Sequence, residues 1–151
     1  MRTIHRLIVS ALLFSADNRL LIGKKDPKSG GVYLDCWHIP GGGIDENENQ
    51  IQALTREIQE EVGIDISIAK IELVDSQGKG ESEKTLKETR ELVTVKMNFY
   101  VYKVSLPVES NIVKVSLNDD LKEYKWFKLS EIESVKLTPP SISLFKRLGY
   151  L

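Results

Sequence analysis

The sequence predicts a mixed α/β domain in which helices cover a β-sheet. Two observations predict this class. Segments with the alternation of β-strands outnumber segments with helical periodicity, and one helical segment is inserted after the third strand while another follows the last. The chain of 151 residues is long enough for one buried core and too short for two comfortable ones, so we expect a single domain over residues 1–151.

The first two strands are predicted to form a hairpin. Residues 4–16 are rich in Ile, Leu and Val and reach a turn at "ADN", after which "RLLIGKK" has the composition of a second strand. The apolar start is interrupted by Ser10 and Ser15 and lacks an evident signal-peptide cleavage site, so we interpret it as a strand. No apolar stretch approaches the length of a membrane span.

The third predicted strand is short. "YLDCWHI" (33–39) stops at Pro40, and the three glycines that follow permit backbone conformations closed to other residues. We interpret Cys36 in this strand as a packing residue. As the single cysteine of the chain it excludes an intramolecular disulfide and a cysteine zinc cluster, which fits a reducing cytoplasm. We therefore expect a cytoplasmic protein.

A change of period marks the central helix. The helix is predicted to begin near Gln50, and Gly63 is placed to end it. Its apolar stripe follows spacings of three, four and four residues: Ile51, Leu54, Ile58 and Val62.

Strands predominate in the second half of the chain. Four are predicted: "DISIAKIELVD" (65–75), "ELVTVKMNFYVYKVSL" (91–106), "NIVKVSL" (111–117) and "EYKWFKL" (123–129). The polar residues 76–90 are predicted to be a flap or an extended hairpin connection. Ser130 and Glu133 have the spacing of a capping box, and a last helix is predicted with Thr138 as its cap, prolines in its first turn and Gly149 as its stop.

Three carboxylates crowd one side of the central helix. At roughly 100° per residue, Glu57, Glu60 and Glu61 lie within an arc of about 100°, beside the apolar stripe. Each close pair of carboxylates costs about 1 to 4 kcal/mol, and Arg56 alone cannot neutralise three acids. Magnesium or manganese can, because it prefers oxygen ligands and binds through a few carboxylates together with substrate phosphates. A solvated acidic face is the alternative interpretation.

The flanking residues favour the metal site. Seven fixed and two apolar positions follow one another over residues 42–64 without a gap: Gly42, Glu48, Arg56, Glu57, Ile58, Glu60, Glu61, Gly63 and Ile64. At average residue usage such a match arises by chance on the order of once in a billion windows. This segment resembles the signature of the Nudix hydrolases, and "WHIPGGG" before it is also similar to that family.

The resemblance implies the Nudix fold, an α+β arrangement with a mixed sheet flanked by helices as an α/β/α sandwich. It also implies an enzyme that cleaves a diphosphate linkage in a nucleoside diphosphate joined to another group, by attack of water with the help of Mg²⁺ or Mn²⁺. Glu57, Glu60 and Glu61 would be the metal ligands. Metal ions at the phosphate oxygens and a positioned, partly deprotonated water are what this reaction needs.

The resemblance gives roles to four further residues near the acids. Glu48 would support the metal-bound water, and Arg56 would orient the carboxylates through an ion pair. Gly41 and Gly42 would bring main-chain groups to the metal and the phosphates, where a Cβ would obstruct close approach.

The general base is less clearly placed. In some family members it comes from a downstream loop, and "SLNDDLKEYKWF" offers Asp119, Asp120 and Glu123 there. Glu61 is the fourth candidate. No spacing selects among them.

Substrate contacts lie outside the signature. Lys24 is a candidate for binding phosphate, and Tyr33 and Trp37 are candidates for stacking on a base, although aromatic residues in strands more often belong to the core. Family members that hydrolyse oxidised purine triphosphates can read guanine with an asparagine soon after a Pro-Pro pair. Ser141 and Ile142 stand there in this chain, which argues against sanitation of oxidised guanine.

The leading hypothesis is therefore a hydrolase that converts a nucleoside triphosphate into the monophosphate and pyrophosphate. A nucleotide sugar or a dinucleoside polyphosphate is the alternative substrate, and a non-catalytic Nudix module that binds a nucleotide is the alternative of another class. The net charge of −1 gives no attraction to nucleic acid or to an anionic membrane, so we expect a small nucleotide as partner, no nucleic-acid or membrane partner, and leave a homodimer open.

Overall fold

The computed structural model describes residues 1–26, 33–118 and 121–151. These residues form one eight-stranded sheet and two α-helices. The strands are β1 (Thr3–Phe14), β2 (Leu20–Lys25), β3 (Trp37–His38), β4 (Gly41–Gly43), β5 (Lys70–Asp75), β6 (Lys79–Thr85), β7 (Leu92–Ser105) and β8 (Leu121–Phe127). The helices are α1 (Gln50–Val62) and α2 (Pro139–Arg147), and a 3₁₀ helix (Leu129–Ser134) precedes α2. Neither α-helix is long and apolar enough to cross a bilayer.

The sheet is mixed, and β1 is its central strand. Its main path runs β3-β2-β1-β7-β5, while β4 pairs with β1, β6 with β7 and β8 with β2. The long ladder between β1 and β7 is parallel, whereas the other pairs are antiparallel. This arrangement brings the short strand β4 beside the middle of β1, at Ile8, Val9 and Ser10.

The two helices cover opposite faces of the sheet. Because side chains alternate along a strand, Val9, Ala11 and Leu13 of β1 pack with α1, whereas Leu12 and Phe14 pack with α2. The predicted sandwich with helices on both faces is thereby confirmed, and the last part of β1 (residues 11–14) is apolar on both sides because it is buried on both.

The predicted bounds of α1 are confirmed, but its apolar stripe is partly wrong. Gly63 ends the helix in the left-handed conformation, with φ of 68°. Asn49 caps the other end by accepting a hydrogen bond from the Gln52 N–H. The spacing of Asn49 and Gln52 is that of a capping box, which the sequence-based prediction of α1 does not include. Ile51 is 42% exposed and lies outside the core. Ala53, which the predicted stripe omits, is fully buried.

Three strand predictions need correction. Only Trp37–His38 of residues 33–39 is a strand, and Asp35 there has a positive φ of 57°, which breaks an extended chain. Residues 65–69 form a turn before β5. Residues 111–117 are irregular, and the Ser116 N–H donates to the Val62 carbonyl at 2.9 Å, so this segment satisfies the end of α1 instead of joining the sheet.

The polar residues 76–90, predicted to be a flap or an extended hairpin connection, contain a strand. Lys79–Thr85 forms β6, which pairs with β7 from Lys79 opposite Asn98 to Thr85 opposite Leu92. The strand forms because β7 offers a long free edge and not because β6 is itself apolar.

The end of the chain agrees with the prediction at α2 and differs before it. Thr138 caps α2 by accepting from the Ser141 N–H at 3.3 Å, and Gly149 follows the helix with φ of 78°. The predicted capping box at Ser130 is wrong, because the N-cap of the 3₁₀ helix is Lys128, two residues earlier, and Glu131 accepts from the Lys128 N–H.

An ion pair connects α2 with strand β5 of the sheet. Arg147, the last residue of α2, donates from Nε and Nη2 to the two carboxylate oxygens of Asp75 at the end of β5, over 2.9 and 3.1 Å. The Asp75 side chain is 5% exposed. The Arg147 guanidinium lowers the pKa of the Asp75 carboxyl below its usual range.

Replacing Asp75 with Asn tests how much this pair stabilises the fold. Because the folded-state pKa is lowered, the stabilisation is present above the unfolded pKa of about 3.9 and is lost as the pH falls through the folded value. We expect Asp75→Asn to reduce the free energy of unfolding by about 2 kcal/mol at pH 7 and by much less at pH 3. Denaturant titrations measure both, with Glu72→Gln on the exposed side of β5 as control. An equal loss at the two pH values would contradict the expectation.

Candidate active site

The strand of three glycines places α1 and β1 in close contact. Gly41, Gly42 and Gly43 lie opposite Ser10, Val9 and Ile8 of β1. A Cβ added at Gly41 would lie 2.2 Å from the Val9 carbonyl oxygen, and one at Gly42 would lie 2.4 Å from the Glu57 carboxyl carbon.

Gly41 and Gly42 are therefore favoured by lack of space for a side chain. The run permits backbone conformations closed to other residues but does not adopt a positive φ. Among the described residues, the glycines with positive φ are Gly63 and Gly149.

One arginine of α1 is the centre of the acidic cluster. Arg56 donates from Nε and Nη2 to the two Glu48 oxygens at 2.7 and 2.9 Å, and from Nη1 to Glu57 at 2.9 Å and Glu60 at 3.3 Å. Its Nη2 also donates to the Gly43 carbonyl at 3.0 Å. One planar guanidinium thus joins the loop before α1, the helix itself and strand β4.

The charges of this cluster respond to Arg56 and to burial. Hydrogen bonds from Arg56 lower the pKa of the Glu48 carboxyl to about 2. The same hydrogen bonds raise the pKa of the Arg56 guanidinium well above its ordinary value. Burial raises the pKa of Glu57 and outweighs the contact with Arg56. A buried carboxylate in this state gains from a further positive charge nearby.

The other two helix acids differ in exposure. Glu61 is 8% exposed and accepts a hydrogen bond from the Gly41 N–H at 3.0 Å, so it is fixed against β4. The Glu60 side chain is 48% exposed and contacts Arg56 at the edge of the cluster. Glu57 and Glu61 therefore lie beside the glycine strand, whereas Glu60 lies at the exposed edge of the cluster.

The donor set fits a divalent cation of the magnesium type. Glu57, Glu60 and Glu61 offer carboxylate oxygens, which Mg²⁺ and Mn²⁺ prefer, and the missing side chain of Gly42 leaves room beside Glu57. Within the described ranges, no three Asp, Glu, His or Cys side chains are grouped as ligands of one ion, and Glu57 and Glu60 contact Arg56. We therefore expect a cation to compete with Arg56 for these two acids.

A cavity of about 580 Å³ adjoins the glycine strand on the α2 face of the sheet. Its size is in the range that takes a small ligand. Ile8 and Phe99 of the sheet and Pro140 and Leu144 of α2 give it apolar walls, whereas Gly41 lies at its boundary with the acidic cluster. Gly41 thus connects the two features, because it lines the cavity and its N–H donates to Glu61 of the acidic cluster.

The predicted substrate contacts are only partly at this cavity. Tyr33 lines it, but Lys24 and Trp37 are absent from its described lining. Lys24 lies 3.7 Å from Asp35, and the Trp37 ring packs edge-on against Phe127 in the core. Lys25, the neighbour of Lys24, lines the cavity. Strict alternation from Leu20 and Ile22 would place Lys24 on this face, but the ladder between β2 and β8 is irregular between the two lysines.

Two of the base candidates lie outside the described residues, namely Asp119 and Asp120. Glu123 is an exposed residue of β8 and is absent from the described lining of the cavity. Glu61 is the candidate that contacts the glycine strand.

Sequence reasoning missed several cavity residues. Gln77, Gly78 and Arg147 all line the cavity, although 69 or more residues separate Arg147 from the other two along the chain. The signal for Arg147 was weak, because a basic residue in the last turn of a helix is ordinary for its effect on the helix dipole.

The comparisons with known proteins place these features in a family context. The NUDIX domain model matches residues 4–148. An RNA pyrophosphohydrolase of Gluconacetobacter diazotrophicus is 42% identical over 67 residues, which are 42% of this chain and 40% of that protein. An 8-oxo-dGTP diphosphatase of Proteus vulgaris is 39% identical over 62 residues, which are 40% of this chain and 52% of that protein. The chain thus spans about half or less of the length of these curated relatives.

The fold comparison reaches further along the chain. The crystal structure of the MutT protein from Methanosarcina mazei Go1 has a TM-score of 0.69 at 21% identity, over 99% of this chain and 96% of that one. At this level of identity the likeness concerns the fold.

Alanine at each glycine of β4 tests the geometry of the site, because the added methyl group meets a different neighbour each time. We expect Gly41→Ala to destabilise the fold by about 2 kcal/mol, since its Cβ meets the β1 backbone. Gly42→Ala should keep its melting temperature but displace the Glu57 carboxylate and weaken Mn²⁺ binding about tenfold. In Gly43→Ala, the matched control, the Cβ meets only the exposed Arg6 side chain, which can move. Calorimetry and Mn²⁺ titration distinguish these outcomes, and equal Mn²⁺ affinity in Gly42→Ala and Gly43→Ala would contradict the assignment.

Proposed function

The chain belongs to the Nudix family, and from this premise we propose that it is a metal-dependent pyrophosphohydrolase that converts a nucleoside triphosphate into the monophosphate and pyrophosphate. One observation carries the proposal: Arg56 holds the acids of the Nudix signature against β4, at the boundary of a cavity of nucleotide size.

Glu57, Glu60 and Glu61 would hold the cation. When bound, the divalent ion supplies positive charge at the phosphate oxygens and lowers the pKa of water. Arg56 orients Glu48 and Glu57 through charged hydrogen bonds and is a positioning residue in this proposal. Gly41 lets main chain approach the phosphates where a side chain would clash with β1.

Glu61 is the base candidate that the contacts favour among the described residues. Its carboxylate is nearly buried and is fixed by the Gly41 N–H, next to the place where phosphates would bind. Glu123, in contrast, lies exposed on β8. A carboxylate in a water-poor position can take a proton from the attacking water if its geometry is fixed, as it is here.

The names of two relatives support a substrate with a phosphate chain. The relatives described above include an 8-oxo-dGTP diphosphatase and an RNA pyrophosphohydrolase, and both names describe hydrolysis next to a phosphate chain. A nucleotide sugar or a dinucleoside polyphosphate is the second candidate. A purely nucleotide-binding module would not need Glu57, Glu60 and Glu61, all of which this chain retains. The cytoplasmic location and a homodimer stay predictions.

Product analysis tests the proposed reaction. The protein is incubated with Mg²⁺ and a panel of nucleoside triphosphates, nucleotide sugars and dinucleoside polyphosphates, and the products are separated by chromatography. Release of pyrophosphate from a triphosphate supports the proposal. Release of a sugar phosphate supports the second candidate, and no turnover of any compound supports the binding module.

Replacing single acids tests the roles of the carboxylates. Glu60→Gln and Glu61→Gln keep the side-chain shape and remove one charge each, so we expect turnover to fall at least about a hundredfold while the melting temperature stays unchanged. Glu46→Gln is the matched control, because Glu46 is an exposed acid of the loop before α1. Steady-state kinetics at saturating Mg²⁺ measures the effect. Turnover near the wild-type rate in both variants would refute the assignment.

A further inference from the structure

Arg147 is fixed in orientation at the wall of the cavity. Its Nε and Nη2 donate to the two oxygens of Asp75, as described above, and its own side chain is 31% exposed. The Gln77 N–H donates to the same Asp75 carboxylate at 3.1 Å. Since the carboxylate is buried and held by two partners, the plane of the guanidinium is fixed as well.

The pairing leaves a second edge of the guanidinium for a ligand. A guanidinium has five N–H groups, and the pair with Asp75 uses two of them. Of the three others, one on Nη1 and one on Nη2 form another parallel pair of donors. The chain passes close beside this group at Gly78, where an added Cβ would lie 3.4 Å from Nη2. Because Arg147 lines the cavity, a ligand there can reach this edge.

Arg147 lies at the opposite end of the cavity from the acidic cluster. One row of paired residues crosses four strands: Gly41 lies opposite Ser10, Ser10 opposite Val101 and Val101 opposite Asp75. Neighbouring strands are about 4.8 Å apart, so Gly41 and Asp75 are separated by roughly 14 Å. Ser10 and Val101 line the cavity between them. The cavity thus runs along this row, from the cation end at Gly41 to the Arg147 end.

The middle of the cavity suits a flat ring. The Phe99 and Ile8 side chains form the sheet side, and Pro140 and Leu144 form the side of α2. Under the proposed function, phosphates occupy the Gly41 end, and the base then lies between these apolar walls with one edge towards Arg147.

We propose that Arg147, oriented by Asp75, donates two hydrogen bonds to the O6 and N7 atoms of a 6-oxopurine, so that the enzyme prefers guanine nucleotides with an unmodified C8. This inference rests on the proposed function and names the substrate class of the same site. An arginine fork matches the two adjacent acceptors of guanine, and such a pair distinguishes bases strongly.

Other bases fit this donor pair less well. Adenine has the N7 acceptor but carries an amino donor in place of O6. In 8-oxoguanine N7 bears a hydrogen, so a donor would face a donor and one hydrogen bond would be lost.

A nucleotide analogue that changes one atom tests the contact. In 7-deaza-GTP a CH group replaces N7, while the rest of the base keeps its shape. We expect wild-type kcat/KM to be about tenfold higher for GTP than for 7-deaza-GTP, and 8-oxo-dGTP to be disfavoured against dGTP by a similar factor. Calorimetric titration with GMP and 7-deaza-GMP gives a second readout that does not depend on turnover, and we expect the same tenfold difference in Kd.

Two variants connect the preference to Arg147. Arg147→Lys keeps the charge beside Asp75 but removes the fork, so the ratio between GTP and 7-deaza-GTP should fall to near one. Lys146→Gln, which removes a positive charge from the exposed neighbouring position, should leave the ratio unchanged. Melting temperatures establish that both variants fold.

Several results would overturn the inference. These are equal kcat/KM for GTP and 7-deaza-GTP in the wild type, a higher value for CTP or 8-oxo-dGTP than for the guanine nucleotide, or an unchanged ratio in Arg147→Lys. An equal loss of kcat/KM for GTP and 7-deaza-GTP in Arg147→Lys would indicate that Arg147 binds a phosphate instead. If no nucleotide is hydrolysed, the proposed function fails by itself, and the GMP titration still decides the inference.

Discussion

The guanidinium of Arg56 is the contact on which the candidate site depends. It donates to Glu48, Glu57 and Glu60 and to the carbonyl of Gly43, and thereby joins a loop, a helix and a strand. Carboxylates this close repel one another, so the cluster needs a positive charge in order to fold with its acids ionised. Arg56 provides one such charge. The raised pKa of Glu57 indicates that the charge of Arg56 does not fully compensate for the burial of this carboxylate.

The sheet connects this cluster to the rest of the cavity. The row from Gly41 through Ser10 and Val101 to Asp75 crosses β4, β1, β7 and β5, and each step is a hydrogen-bonded strand pair. Functional groups at the two ends are therefore held at a fixed separation by backbone, although they come from distant parts of the chain. The helices complete the two ends, since α1 supplies the acids and α2 supplies Arg147.

Much of the fold was predictable because local signals agreed with tertiary packing. The period of α1, the glycine at its end and the alternation of β7 each correspond to an observed element. Prediction was wrong where local sequence was outweighed by a partner elsewhere. Residues 79–85 are polar yet form β6 because β7 offers an edge, and residues 111–117 resemble a strand yet cover the end of α1.

The same distinction applies to the candidate site. The acids and Arg56 lie within one helix and the loop before it, so their spacing carries the information. Asp75 and Arg147 are 72 residues apart, and nothing in the spacing of either predicts that they meet. Lys24 is a smaller case, because the sequence proposes it as a phosphate contact, whereas its neighbour Lys25 lines the cavity after an irregularity in the ladder between β2 and β8.

The most direct test of this account is a crystal structure with Mn²⁺ and a non-cleavable nucleoside triphosphate, in which anomalous scattering locates the metal. We expect Mn²⁺ to lie between the phosphates and the carboxylates of Glu57, Glu60 and Glu61, with Glu57 moved away from Arg56. Metal bound elsewhere, with the Arg56–Glu57 contact intact and the three carboxylates turned from the phosphates, would contradict it.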